Sequence, residues 1–291
     1  MNDMHDQERP GGKVRRPGIF GQRMVPIRYL APNLFTLLAL CAGITSIRAA
    51  IEARYELAVA LIVLAALLDG VDGRVARAFN AQSRFGAELD SLADCVSFGV
   101  APAILIFMWA FPSLRGLGWI AALIFACAAS LRLARFNAAL DEERPKWRSD
   151  FFTGVPAPAG AILVMLPIYL EDSLLPGARE YPALIAVYVM TIAALLVSTI
   201  PTWSGKLAGE RIARDHVAPA LVCAALAVAL LVTYPYVTLA IATLAYLMLI
   251  PVGIWRFGQR RRAWEASEAA QAAAVPGETP HAGGPATGTR H

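Results

Sequence analysis

The sequence predicts an all-α fold: a polytopic membrane bundle of about eight transmembrane helices. Three observations carry this. First, 57% of the 291 residues are hydrophobic and 16% are charged, with a mean hydropathy of +0.52, whereas soluble domains carry about 25% charged residues. Second, apolar segments follow one another almost without interruption from Pro32 to Ile254. Third, the basic residues fall on one side when those segments are threaded alternately through a bilayer.

The apolar segments run over 32–51, 55–68, 92–112, 117–139, 156–170, 182–200, 217–233 and 236–254. The first begins at Pro32-Asn33, an ordinary helix start. The second is shorter than the roughly 20 residues of a full span, so its helix is expected to run on through the polar residues beyond it. Asp90 and Asp94 open the third, and SLRLARFN (130–137) ends the fourth. FFTGVPAPAGA (151–161) opens the fifth and STIPTWSGK (198–206) ends the sixth. The eighth is closed by RFGQRRR (256–262), a basic anchor able to meet anionic lipid.

An even number of spans puts both termini on one side. With the amino terminus inside, 22 of the 26 Lys and Arg residues are cytoplasmic, and only Arg48, Arg54, Arg115 and Arg179 lie outside. The positive-inside rule therefore places both termini in the cytoplasm. Three regions result: a basic cytoplasmic segment over 1–29, a membrane domain over 30–255, and a cytoplasmic tail over 256–291. From Glu265 that tail is rich in Ala, Gly, Pro and Thr and is expected to be disordered. Met1 to Arg28 lacks an apolar core, so no signal peptide is expected. The four cysteines lie inside apolar segments and form no CxxC pair. They read as small buried hydrophobes. Three of the four histidines lie in the tails, so no histidine metal site is expected.

The chemistry is concentrated in LDGVDGRVARAFNAQSRFGAELDSLAD, Leu68 to Asp94. Asp69 and Asp72 are three residues apart, and Asp90 and Asp94 four. On helices both spacings put a pair on one face. Carboxylates at the edge of a span are expensive and rarely idle. Two facing pairs repel unless something neutralises them. A divalent metal bound by oxygen ligands, Mg²⁺ or Mn²⁺, answers that need, and two such ions per site suit phosphoryl-type transfer. Gly70, Gly73 and Gly86 remove side chains nearby, for helix packing or for ligand access. Arg77 can pair with a phosphate, and Ser83 can hydrogen-bond one. No Ser-His-Asp or Cys-His arrangement competes.

The stretch fits D-x2-D-G-x2-A-R-x8-G-x3-D-x3-D through Asp69, Asp72, Gly73, Ala76, Arg77, Gly86, Asp90 and Asp94. It resembles the CDP-alcohol phosphatidyltransferase family. The resemblance implies a six-helix core with two further helices, a homodimer, and direct transfer without a covalent enzyme intermediate. It makes Asp69, Asp72 and Asp90 mainly metal ligands, and Asp94 both the catalytic base and a ligand of the second metal. It also implies a CDP-linked donor, CDP-diacylglycerol, whose nucleotide and diphosphate lie against Gly73, Ala76, Arg77, Ser83 and Gly86. PNLFT (32–36) looks like the family's as well, and its Asn33 and Thr36 could line the nucleotide.

The motif does not name the acceptor. SLRLARFN, FFTGVPAPAGA and STIPTWSGK resemble stretches of bacterial integral-membrane phosphatidylserine synthases, which implies L-serine. All three fall at cytoplasmic ends and can converge on the aspartates. Arg135 or Lys206 would pair with the serine carboxylate, and Asn137 could bond either serine group. Glycerol-3-phosphate or inositol phosphate would also favour arginines and stays open as an acceptor. A divalent-cation transporter would need charges deep in the spans, but the third to eighth have apolar centres.

Overall fold

The computed structural model describes residues 30–78, 83–139, 151–203 and 214–274. Its helices are α1 (Leu30–Ile51), α2 (Tyr55–Ala78), α3 (Arg84–Asp94), α4 (Ala101–Ala110), α5 (Arg115–Ala138), α6 (Ala157–Val164), α7 (Leu166–Ser173), α8 (Pro182–Val197), α9 (Arg214–Thr233) and α10 (Pro235–Ala274). A π-helical turn, Cys95–Val100, joins α3 to α4 without a break. The helix of the fifth segment is interrupted at Met165 and resumes as α7, with Pro167 in its first turn. Proline lacks the N–H that would have continued the ladder. The ten helices thus form eight rods, one for each apolar segment.

The chain is a multi-pass membrane protein. Among the described residues, four helices are long and apolar enough to cross a bilayer: Asn33–Ile51, Arg84–Ala110, Gly116–Ala138 and Pro235–Ser267. Pro182–Val197 and Ala218–Thr233 are shorter apolar helices. In hydrocarbon a helix satisfies its own backbone, and the rods alternate in direction. One end of the bundle collects the end of α2, the start of α3 and the end of α5. This is the motif end.

α1 and α2 pack along a seam of buried alanines, Ala39, Ala42, Ala49 and Ala50 against Ala58 and Ala65. Small residues let membrane helices approach closely. Ser46 Oγ crosses the seam to donate to Ala58 O at 2.9 Å. The π-helical turn is wedged between α1 and α5. A Cβ on Gly43 would lie 2.8 Å from Ser97 Cα, and one on Gly99 would lie 3.3 Å from Ala129 Cβ. At the far end, the Arg179 guanidinium sits 5.7 Å from the Tyr55 ring centre and 5.8 Å from that of Trp109. This contact ties the start of α8 to α2 and α4.

Several features differ from the sequence expectations. Phe151–Thr153 (β1) and Pro201–Trp203 (β2) pair as a short antiparallel ladder, with Phe152 opposite Thr202. Two of the stretches expected to converge therefore bond directly. Gly154 comes next with φ +78°, where a Cβ would lie 2.8 Å from Ser198 O, so only glycine suits that turn. The segment 256–274 is helical rather than part of an unstructured tail, because α10 runs on to Ala274. Its Arg, Glu, Gln and Ala residues are strong helix formers, and Arg261 pairs with Glu265 at 2.8 Å. Residues 275–291 and the basic segment 1–29 lie outside the described residues. Cys41, Cys127 and Cys223 are exposed and are not core hydrophobes, whereas Cys95 is half-buried and packs against the core. A bilayer makes the outer face apolar too, so nothing forces such side chains inward. α9 lies at the periphery and packs mainly on α10.

Replacing Gly43 by alanine should force α1 away from the π-helical turn. Overpacking of this kind costs about 1–3 kcal/mol. We expect a lower thermal midpoint for Gly43→Ala in detergent. An unchanged midpoint would mean that the contact between α1 and the turn is not tight.

Candidate active site

The local structure of the motif is set by its own residues. α2 carries Asp69 and Asp72 beyond its apolar stretch, and α3 begins only after Ser83. The Ser83 hydroxyl accepts from Gly86 N at 3.0 Å, which caps the helix. This cap uses a lone pair of the Ser83 oxygen and not its O–H donor, which is the part a phosphate contact would use. α3 then presents Asp90 and Asp94 to α2, and the π-helical turn starts at the next residue.

The two pairs do meet. Carboxylate oxygens of Asp69, Asp72 and Asp90 all lie within 4.8 Å of one another. A hard cation of Mg²⁺ type has bonds of about 2.1 Å, so opposite ligands sit about 4.2 Å apart. The cluster is therefore nearly closed to the size of one ion, and its donors are oxygen only. Asp94 is not in that group of three. It instead sits beside Asp69. Three carboxylates thus converge, and the fourth stands next to one of them. The spacing explains this. Asp94 lies one turn deeper along α3 than Asp90 and abuts the turn packed on α1 and α5.

Thr36 is buried and donates from Oγ1 to Asp72 Oδ2 at 2.8 Å, and Asp72 is itself only 5% exposed. A residue expected to line the nucleotide therefore orients a carboxylate. Asn33 lies nearby on α1. A Cβ on Gly86 would come within 3.0 Å of Asn33 Oδ1 and 3.1 Å of Ser83 Oγ. Asn33, Ser83 and Gly86 are thus gathered at the start of α3, where glycine is needed for the close approach. The Arg77 guanidinium reaches back to 3.7 Å from the place of a Gly73 Cβ. Arg77 is exposed, and Ala76 precedes it on α2. A Cβ on Gly70 would meet nothing within 4 Å, so that glycine keeps open space rather than a helix contact.

The acceptor residues read from the sequence are placed differently. Arg135 Nη1 donates to Val197 O at 2.5 Å, and Asn137 Nδ2 donates to Ser91 Oγ at 2.7 Å. Both tie the end of α5 to its neighbours, α8 and α3. Lys206 lies outside the described residues. The cation that does reach the site is Arg132. It is 8% exposed, and its electrostatic neighbours are Asp94 and Tyr246. One signal in the sequence could have singled it out. Arg132 stands nearly one turn nearer the apolar span than Arg135, where a charge is more expensive and more telling.

Comparison with known proteins identifies the family. The profile of the family described as CDP-alcohol phosphatidyltransferase matches residues 29–200, and that of CDP-alcohol phosphatidyltransferase 2 matches 215–251. A relative from Mycobacterium leprae named CDP-diacylglycerol–serine O-phosphatidyltransferase is 45% identical, over 62% of this chain and 60% of its own length. Relatives of the same name are 43% identical in Mycobacterium tuberculosis, over 62% and 63%, and 37% in Helicobacter pylori, over 59% and 71%. The match thus spans a little over three-fifths of the length of the mycobacterial relatives. With more than half of its residues inside the first profile, the chain belongs to the CDP-alcohol phosphatidyltransferases.

Proposed function

We propose that the protein transfers the phosphatidyl group of CDP-diacylglycerol to the hydroxyl of L-serine, giving phosphatidylserine and CMP. In this reading the active site is on the cytoplasmic side of the inner membrane, where soluble serine and metal ions are at hand. The observation that carries it is the convergence of Asp69, Asp72 and Asp90, with Asp94 beside the first of them. The names of the relatives support serine as the acceptor.

A divalent cation, Mg²⁺ or Mn²⁺, held by Asp69, Asp72 and Asp90 supplies charge to neutralise the donor's diphosphate, and a second can be held against Asp94. The open space at Gly70 and the bare Gly73 leave room for that diphosphate to approach α2. Arg77 stands beside it to pair with a phosphate oxygen. Asp94 accepts the proton of the serine hydroxyl. The serine oxygen bonds to the phosphorus that carries diacylglycerol, the anhydride bond of that phosphorus to the CMP oxygen breaks, and CMP leaves with the electron pair. Asp94 is suited to this because it is not one of the three converging carboxylates and retains an oxygen for the proton. Arg132, close to Asp94, fits the serine carboxylate. Arg135 and Asn137 act by fixing the end of α5 that presents Arg132.

Purified protein should release CMP from CDP-diacylglycerol only when L-serine is added with Mg²⁺ or Mn²⁺, and not with glycerol-3-phosphate or inositol phosphate. Release with another acceptor would retain the transfer and discard serine. Asp94→Asn should lower the rate by about 10²- to 10⁴-fold, the usual weight of a general base. It should still gain thermal stability from Mn²⁺. Full activity in that variant would remove Asp94 from the role.

Thr36→Val should weaken metal binding by about 10- to 100-fold, as loss of a group that orients a ligand does. The check is a Mn²⁺ titration of the thermal midpoint. A wild-type titration curve in the variant would show that Thr36 does not support Asp72.

A further inference from the structure

Besides Arg132, already placed close to Asp94, the bundle interior holds a buried donor that the site described so far leaves unused. Arg132 is 8% exposed, and its Nε is without a hydrogen-bond partner among the described residues. Thr243 is 2% exposed, and its hydroxyl is likewise without one. Buried polar groups are normally satisfied, and one that is not calls for a missing partner. Two such groups belong to different elements, α5 and α10. Thr243 and Tyr246 are three residues apart and share one face of α10. Leu239 and Ala240, which precede them, are buried, so that face points into the bundle. Tyr246 is an electrostatic neighbour of Arg132, as Asp94 is on the opposite element. A guanidinium, a threonine hydroxyl and a tyrosine hydroxyl all offer donors, and donors on an arginine are best matched by an anionic oxygen.

We propose that Arg132, Thr243 and Tyr246 form the subsite for the anionic group of the acceptor, a carboxylate held beside Asp94. The inference rests on the functional reading above and deepens it. It assigns the acceptor's recognition in part to α10, a helix outside the unit of residues 29–200 that carries the aspartates. The choice of alcohol is then shared between that unit, through Arg132, and α10. An anionic oxygen could also come from the donor's diphosphate, and the test separates the two.

The full-length protein would be assayed for CMP release with L-serine and CDP-diacylglycerol varied in turn. Tyr246→Phe and Thr243→Val should each raise the KM for serine by about five- to tenfold, the effect of one lost hydrogen bond. The KM for CDP-diacylglycerol and the stabilisation by Mn²⁺ should stay at wild-type values. A rise in the donor's KM instead would assign the subsite to the diphosphate and overturn the proposal. Unchanged kinetics in both variants would overturn it as well. Wild-type protein gives an independent reading: it should strongly prefer L-serine to L-serine methyl ester, which lacks the carboxylate charge. Equal use of the two overturns the subsite while leaving the transferase intact. A wild-type enzyme that releases no CMP with serine overturns the functional reading itself, and this subsite with it.

Discussion

Unit charges about 4 Å apart at an effective dielectric constant of about 20 repel by about 4 kcal/mol. Asp69, Asp72 and Asp90 hold oxygens within 4.8 Å of one another at the end of an apolar bundle, with Asp94 beside Asp69. That repulsion is the constraint on which the rest of the structure depends. Two short helical segments must be held face to face although their charges push them apart. The force that holds them is not local to the motif. It comes from the α1–α2 alanine seam, from the π-helical turn wedged at Gly43 and Ala129, and from Thr36 donating to Asp72. The scaffold keeps the carboxylates together, so a cation can be gathered by a cluster that already exists.

The same scaffold makes the carboxylates unequal. Asp72 is buried and bonded to Thr36, while Asp94 sits a turn deeper, at the start of the π-helical turn, beside Asp69. A wide turn in an α-helix changes the facing of the residues beyond it. Here the change comes directly after Asp94, so the polar face of α3 gives way to a segment packed on two helices. Asn137 to Ser91 and Arg135 to Val197 brace the end of α5 against α3 and α8. The consequence is a fixed position for Arg132, which has no room to swing out to water.

Much of this was legible in the chain. Eight apolar segments correspond to eight rods, because hydrocarbon leaves the backbone little choice. The three- and four-residue spacings of the aspartates foretold the facing pairs, because helical periodicity alone decides which side chains share a face. What was not legible depends on tertiary contacts. Arg132 and Arg135 differ by three positions, yet one points inward and the other to a carbonyl of α8. Residue type cannot distinguish them. The outward cysteines escaped for a related reason, since hydropathy does not separate lipid-facing from core-facing positions in a bilayer. The β1–β2 ladder joins residues about fifty apart in sequence, and no local pattern announces so short a pairing. The helical part of the tail was hidden by composition. Its alanines and charges read as low apolar bulk, although the same residues propagate a helix well.

The length of α10 has a mechanical side. Its forty residues, at about 1.5 Å each, make a rod of about 60 Å, twice a hydrocarbon core of about 30 Å. Thr243 and Tyr246 lie in its first third, inside the bundle, and a rod of that length outreaches the hydrocarbon. A straight helix transmits torque, so a twist applied near residue 270 would reach the buried hydroxyls as a rotation. Pro251, between the two ends, removes one rung of the hydrogen-bond ladder and is the compliant point of the shaft. The interior face of α10 is therefore coupled to the aqueous phase through one joint rather than through the bundle as a whole.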